Sequence, residues 1–375
     1  MKVYPNLRKI SFFKRVRRIK CMGGLSFLQK LIFLLNILFA IALLMACIVP
    51  HTTSASLAFF SLAVPMLVAV NICFLIYWII GMKRQFMLSL VTLFMGYFLM
   101  GNFIGFSSKS NRVEKKDSFS ILSFNSLGFR GNRGEWRRSA GDSIVKFIAE
   151  EDPDILCFQE FKERKGNVTD FEPYAFKAIR NDQYELKGGK NLAIFSKHRI
   201  IESDFILFPN TYNGAMYADI VIHQDTLRIY NVHLESFGVR PNSIKRERSD
   251  RLFKRLRTSF ARQKEQSDIV RKHINNSPYP SIVCGDLNST QFSHVYLNIK
   301  KNLKDTFLEK GTGLGSTIHF WKFPFRIDYI LVDLEMKVLS HTNYSIGLSD
   351  HEPIMASVQL GTHEQAVNDI GQDVD

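Results

Sequence analysis

"SIVCGDLNST", residues 281–290, opens on the apolar run Ile282–Cys284 and then sets Asp286 and Asn288 on either side of one leucine. A strand that stops in an Asx-rich turn has this spelling, because Gly, Asp and Asn relax or hydrogen-bond the backbone where extended structure ends. So does a rigid strand that carries a carboxylate and an amide to its exposed end, where oxygen ligands meet a hard cation or a phosphate. The stretch alone supports both readings.

Outward from it, the pattern repeats. "FSILSFN" (119–125) is expected as a strand ending on Asn125, and "ILCFQE" (155–160) as a buried strand ending on Glu160. Between them "DSIVKFIAEEDPD" reads as a helix with Asp142 as N-cap, stopped ahead of Pro153. "NLAIFS", "ADIVI" and "LRIYNVHL" are three more strands, the last two joined by the tight turn "HQDT", and the last delivers His233 and Glu235. A helix from about Ser243 to Ile274 carries Leu252, Leu256, Phe260 and Ile274 on one stripe. "RIDYILV" brings Asp328, and "GLSDHEPIMASVQL" places Asp350 and His351 just before a final strand. One polar strand end is a turn, whereas six of them, two with histidines, describe a shared site, since adjacent strands bring their ends together and hold side chains rigidly.

The chain before Phe119 is of another kind. Residues 1–117 hold 15 Lys and Arg against 2 acids, so +13 of the formal charge of +14 lies there; residues 118–375 hold 34 against 33. The basic composition therefore says little about a substrate. It fits a membrane protein, because residues 31–49, about 57–80 and about 86–106 are uncharged and each is long enough, at about 1.5 Å per residue, for a hydrocarbon core of about 30 Å. Three transmembrane helices are expected over 31–106, after a basic cytoplasmic segment 1–30. The positive-inside rule then puts the chain beyond Phe106 on the non-cytoplasmic side of the cytoplasmic (inner) membrane, although Lys109, Arg112, Lys115 and Lys116 pull the other way. Residues 107–118 read as a linker, 119–361 as one globular domain and 362–375 as an acidic tail. Only Cys157 and Cys284 fall in the domain, with no zinc spacing; they read as core thiols, with a disulfide between them left open.

The ordered set "SFN", "DILCFQE", "NVHLES", "GDLNS", "RIDYIL" and "SDH", over about Phe119 to Leu360, resembles the endonuclease/exonuclease/phosphatase superfamily. That superfamily includes pancreatic-type deoxyribonucleases, abasic-site endonucleases, bacterial sphingomyelinases and inositol polyphosphate phosphatases. The resemblance implies an α+β four-layered sandwich, two packed and mostly antiparallel β-sheets flanked by helices. It also implies a phosphoester hydrolase dependent on Mg²⁺, with Mn²⁺ as a substitute. Glu160 would be the principal metal ligand with Asn125 beside it, and Asp350 would complete the shell. Asp286 would prepare the attacking water, Asn288 would hold that water or a phosphate oxygen, and His351, oriented by Asp328, would sit near the phosphate with His233 facing it.

These residue types suit the chemistry. An anionic phosphoester repels nucleophiles, so a site must gather positive charge at the phosphoryl oxygens and prepare a water for in-line attack. The basic run from Arg240 to Lys272 reads first as the solvated face of a helix and second as a surface for headgroups or nucleic acid. "KGTGLGST" (310–317) fits a loop ahead of the Asp328 strand. Specificity is expected in loops near 126–140, 209–217 and 236–245. The partners expected are the membrane and a phosphoester, whether lipid, small diester or nucleic acid, and no protein partner is indicated. A membrane-bound nuclease and a catalytically silent binding module are the alternatives.

Overall fold

The computed structural model describes residues 25–48, 58–101, 104–107, 118–131, 138–162, 171, 173–179, 191–238, 248–320 and 323–361. Most of the basic segment, the linker from 108 to 117, the tail from 362 and parts of the expected specificity loops lie outside the described residues. The chain divides into two compact units.

The first unit contains α1 (Phe27–Ile48), α2 (Phe59–Ile80) from Ala63 onward, and α3 (Phe86–Met100). Two of them, α1 and α2, are long and apolar enough to cross a membrane. The third run does not reach the length expected of it. Gly101 closes α3 after 15 residues with φ +74°, and Gly105–Phe106, expected inside a span, form a short strand β1 of the second unit instead. The three helices share a buried polar knot: Asn36 Nδ2 donates to Ser89 Oγ (2.9 Å), and Trp78 Nε1 donates to Asn36 Oδ1 (3.0 Å). Ser89, Thr92 and Gly96 make a small-residue seam on α3, and a Cβ on Gly96 would meet Leu43 of α1 at 4.0 Å. Small side chains permit such close approach between helices.

The second unit is built on two six-stranded sheets. Its strands in chain order are β2 (Ser118–Asn125), β3 (Ile155–Phe161), β4 (Phe176–Ile179), β5 (Asn191–Ser196), β6 (Ile200–Leu207), β7 (Gly214–Ile222), β8 (Asp225–His233), β9 (Ser281–Asp286), β10 (Leu303–Asp305), β11 (Thr312–Gly313), β12 (Ile318–Phe320), β13 (Phe323–Phe325), β14 (Asp328–Asp333), β15 (Lys337–Asn343) and β16 (Ile354–Gln359). One sheet has the order β15-β16-β2-β3-β5-β4 and the other β10-β14-β9-β8-β7-β6. Each holds one parallel pair, β2 with β3 and β8 with β9, among antiparallel neighbours. The first and last long strands lie side by side, with Ser118 opposite Gln359.

Period-two alternation explains the layers. Phe119, Ile121, Ile155, Cys157, Ile229, Ile282, Cys284 and Ile330 meet in one core between the sheets. Leu122, Phe124, Leu156 and Phe158 face the other way, onto α4 (Arg138–Glu151), and Tyr230, Val232, Val283 and Leu331 face α5 (Ser249–Asn275) and α6 (His294–Lys300). Helix, sheet, sheet, helix is the layer order. Cys157 and Cys284 are buried in the inner core as free thiols. The helix expected to start at Asp142 starts at Arg138, so Asp142 lies in its second turn rather than at the cap.

Candidate active site

The inner-facing row of each central strand ends in a polar residue at the same end of the two sheets. On β2 the row is Phe119, Ile121, Ser123, Asn125; on β8 it is Leu227, Ile229, Asn231, His233; on β9 it is Ile282, Cys284, Asp286. His233 pairs with Asp286 across the parallel β8–β9 ladder, and Asp286 pairs with Asp328 across the antiparallel β9–β14 ladder. Register therefore puts three functional groups in one line. Gly285 lets β9 reach this position: its φ is +142°, and an added Cβ would collide with the Val232 backbone.

Asp286 is the hub, and the turn reading of its stretch holds. Its Oδ1 accepts the Asn288 N–H at 2.8 Å, an Asx turn that sets Asn288 at φ +47°. Its Oδ2 accepts from Asn125 Nδ2 at 3.1 Å and lies 3.5 Å from His233 Nε2 and 3.7 Å from His351 Nε2. Burial pushes the Asp286 carboxyl above the ordinary carboxylate range and Asp328 adds to this, while His351, His233 and the Asn288 amide pull down without cancelling it. His351 Nδ1 sits 2.9 Å from Asp328 Oδ2. Burial opposes charge on that ring, but Asp328 and Asp286 overcome it and hold His351 at about 10, an imidazolium at neutral pH.

Glu160 comes from the other sheet, on a bulge. Phe158 pairs with Ala193 and Phe161 with Asn191, so β3 carries one residue more than β5 between those pairs, and Glu160 has φ +51°. Strict alternation would aim Phe161 between the sheets and Glu160 into the outer core. With the extra residue, Phe161 packs in the outer core and Glu160 Oε1 lies 3.9 Å from His233 Nε2, the side chain still 21% exposed.

Two carboxylates and a histidine, Asp286, Asp328 and His351, offer ligand atoms within 4.8 Å of one another. A charged imidazole already bound to a carboxylate is a poor metal ligand, so this trio fits anion binding and proton handling better. The Glu160 carboxylate, open to solvent, and the Asn125 side-chain oxygen are the hard donors that suit Mg²⁺ or Mn²⁺. Asp350 is exposed; Ser349 Oγ donates to the Asn125 carbonyl at 2.7 Å with Asp350 Oδ1 3.2 Å away, which ties Asp350 to Asn125. Asn288 Nδ2 donates to Leu234 O at 3.1 Å, so one of its amide hydrogens serves the backbone.

Several supporting contacts are not apparent from the sequence. Gln263, on the buried stripe of α5, donates to Glu235 O (2.6 Å) and Asn288 O (3.0 Å); a polar residue in phase with Leu256, Phe260 and Ile274 is the signal for it. Glu235 is a rim staple, accepting from Thr211 Oγ1 (2.6 Å), Asn213 Nδ2 (3.2 Å) and Arg262 Nη1 (2.9 Å). Arg326 is buried and donates to Asp305 Oδ2 at 2.7 Å while stacking on Phe307 and Tyr329. Against burial, Arg326 holds the Asp305 carboxyl below its usual range.

Residues 122–351 match the Endonuclease/Exonuclease/phosphatase family, and residues 29–103 match a domain of unknown function. The chain is 24% identical over 285 residues to a DNA-(apurinic or apyrimidinic site) endonuclease of Dictyostelium discoideum, covering 66% of this chain and 72% of that protein. Its fold is shared with an endonuclease/exonuclease/phosphatase from Beutenbergia cavernae, at TM-score 0.51 and 16% identity over 66% of this chain and 72% of the other. It is shared too with the human Nocturnin catalytic domain, at TM-score 0.51 and 18% identity over 66% and 96%.

Proposed function

Since the chain belongs to the endonuclease/exonuclease/phosphatase family, whose members hydrolyse phosphoesters, we propose that it is a membrane-anchored, divalent-metal-dependent phosphoester hydrolase. The observation that carries the proposal is the convergence of Asn125, His233 and His351 on one oxygen of Asp286, with Glu160 opening beside it from the second sheet.

Each residue then has a task. Asp286, held by the Asn288 amide and by Asn125, takes a proton from water, which attacks phosphorus in line with the leaving oxygen. Its raised pKa makes it a better base than an exposed aspartate. His351, kept charged by Asp328, donates from Nε2 to a phosphoryl oxygen and is no candidate for the base. His233 donates to the same group from the opposite side. Glu160 and Asn125, with Asp350 behind them, would hold Mg²⁺ or Mn²⁺. That ion, when bound, would draw charge from the phosphoryl oxygens.

Kinetics on a generic phosphodiester test the assignment. Asp286→Ala should lower kcat by about 10²- to 10⁴-fold while metal binding persists, and Glu160→Ala should weaken both. Near-normal turnover by folded Asp286→Ala protein would refute the role given to Asp286.

We place the substrate at a membrane surface or in the adjoining space. The near-neutral domain charge, 34 basic against 33 acidic residues, supports this, because nonspecific nucleases present a basic footprint. A nuclease is the second reading, favoured by the Dictyostelium relative and by the first turns of α5, where Arg251, Lys254 and Arg257 are exposed. Comparing kcat/KM on duplex DNA, phospholipid and small diesters at physiological salt separates the two. A much higher value on DNA than on every other substrate would favour the nuclease.

A further inference from the structure

Directly beneath the site, in the layer where the inner core should be apolar, three polar residues are buried: Ser123, Gln159 and Asn231. They bridge the two sheets. Gln159 Nε2, on β3, donates to Asn231 Oδ1 on β8 at 2.7 Å and to Ser123 Oγ at 3.1 Å. Asn231 Nδ2 in turn donates to the carbonyls of Phe158 (2.8 Å) and Ala193 (3.0 Å). Every hydrogen-bonding group of the Asn231 side chain is thus committed.

The two carbonyls are not arbitrary. Phe158 and Ala193 face each other as the last regular pair of β3 and β5 before the bulge that turns Glu160 toward the site. A bulge disrupts its ladder locally and leaves backbone groups in need of partners. A side chain from the opposite sheet supplies them here. The same side chain stands two residues before His233 on β8, so one amide fixes the bulge that aims Glu160 and the strand that delivers His233. Glu160 keeps a left-handed φ of +51°, a conformation that a non-glycine residue holds only when its surroundings over-determine it.

We infer that Gln159 and Asn231 are positioning residues, an amide clamp between the sheets that locks the β3 bulge and sets Glu160 against His233. The inference rests on the hydrolase reading for what Glu160 does, but not for how it is held. Neither residue touches the reacting atoms; both act through Glu160.

The test uses full-length protein in detergent and the double variant Gln159→Met/Asn231→Leu, which keeps side-chain volume and removes every donor of the clamp. Affinity for Mn²⁺ is read by paramagnetic resonance of the free ion, turnover on bis(p-nitrophenyl) phosphate, and local order by hydrogen exchange. Loss of a supporting partner around a metal ligand typically costs about 10- to 100-fold, so the variant's Kd for Mn²⁺ should rise and its kcat fall in that range. Exchange across 158–162 should accelerate at least about tenfold while that of 328–333 stays put, the contrast expected of a local opening. A bridge that merely stabilised the fold would lower Tm and leave the Mn²⁺ affinity of the folded variant alone. Affinity and exchange at 158–162 both within twofold of the parent would overturn the clamp. If the double variant does not fold, Gln159→Met alone, which spares the Asn231 bonds to the backbone, should show the same pattern at smaller amplitude, and an unchanged protein would overturn the proposal equally. A parent that neither binds Mn²⁺ nor cleaves the diester would refute the hydrolase reading instead, and exchange at 158–162 would still decide the clamp.

Discussion

At the scale of single residues, the site turns on how burial and neighbours set charge. His351 is buried, which by itself favours a neutral ring; Asp328 and Asp286 reverse that. Replacing Asp328 by Asn removes the negative charge 2.9 Å from His351 Nδ1 and leaves burial less opposed, so the His351 pKa should fall from about 10 toward neutrality. The expected outcome for Asp328→Asn is a lower kcat and an alkaline limb of the pH–rate profile displaced to lower pH. An unmoved limb would show that His351 does not need its charge. The positions of the eight candidate residues at strand ends were legible in the sequence: Asn125, His233 and Asp286 close their strands, whereas Asp328 opens β14 and Asp350 and His351 precede β16. Their division of labour was less so. Asn288 spends one amide hydrogen on Leu234 O, and Asp350 reaches Asn125 only through Ser349, contacts that depend on chain segments distant in sequence.

Among the elements, strands buried on both faces declared themselves by composition, while edge pieces did not. "NLAIFS" is β5 to the residue, and "SIVCGD" is β9. The missed β6 is an edge strand, exposed at Ile201 through Asp204 and carrying Glu202 and Asp204, so its alternation is blurred by solvent. The β3 bulge could not be read either, since a one-residue insertion leaves the spelling "ILCFQEF" unchanged. Strand β15 offers a test of stability at its own level. His341 lies on it with Nδ1 2.8 Å from Thr306 Oγ1, and burial lowers the ring to about 4 against the ordinary 6.5. The unfolded chain therefore binds a proton before the folded one does. Stability should be complete above pH 6.5 and fall as pH drops toward 4; thermal unfolding of His341→Gln across that window should show a shallower acid loss than the parent. Equal slopes would exclude His341 as a contributor.

For the molecule as a whole, sidedness depends on how α3 is disposed in its own bundle. Its 15 residues span only about 22 Å at 1.5 Å per residue, yet Ser89 meets Asn36 and Gly96 faces Leu43, so α3 runs parallel to α1 at the same depth and ends on the side where α1 ends. If the basic N-terminal segment is held in the cytoplasm, as the positive-inside rule expects, a reporter fused after Ser118 should behave as exported; cytoplasmic reporter activity would overturn that expectation. The second unit carries a different implication in its β2–β16 pairing. Where Ser118 stands opposite Gln359, the first and last strands of the two six-stranded sheets meet in mid-sheet, so those strands form a loop that is nearly closed on itself. Joining those ends and opening the exposed turn at His223 and Gln224 would break no ladder in either sheet. Such a circular permutant would begin with "NVHLES" and finish with "DILCFQE", the reverse placement of the two sheets' ligands along the chain. The order of motifs is thus an inheritance of this polypeptide, and not a requirement of the site it builds.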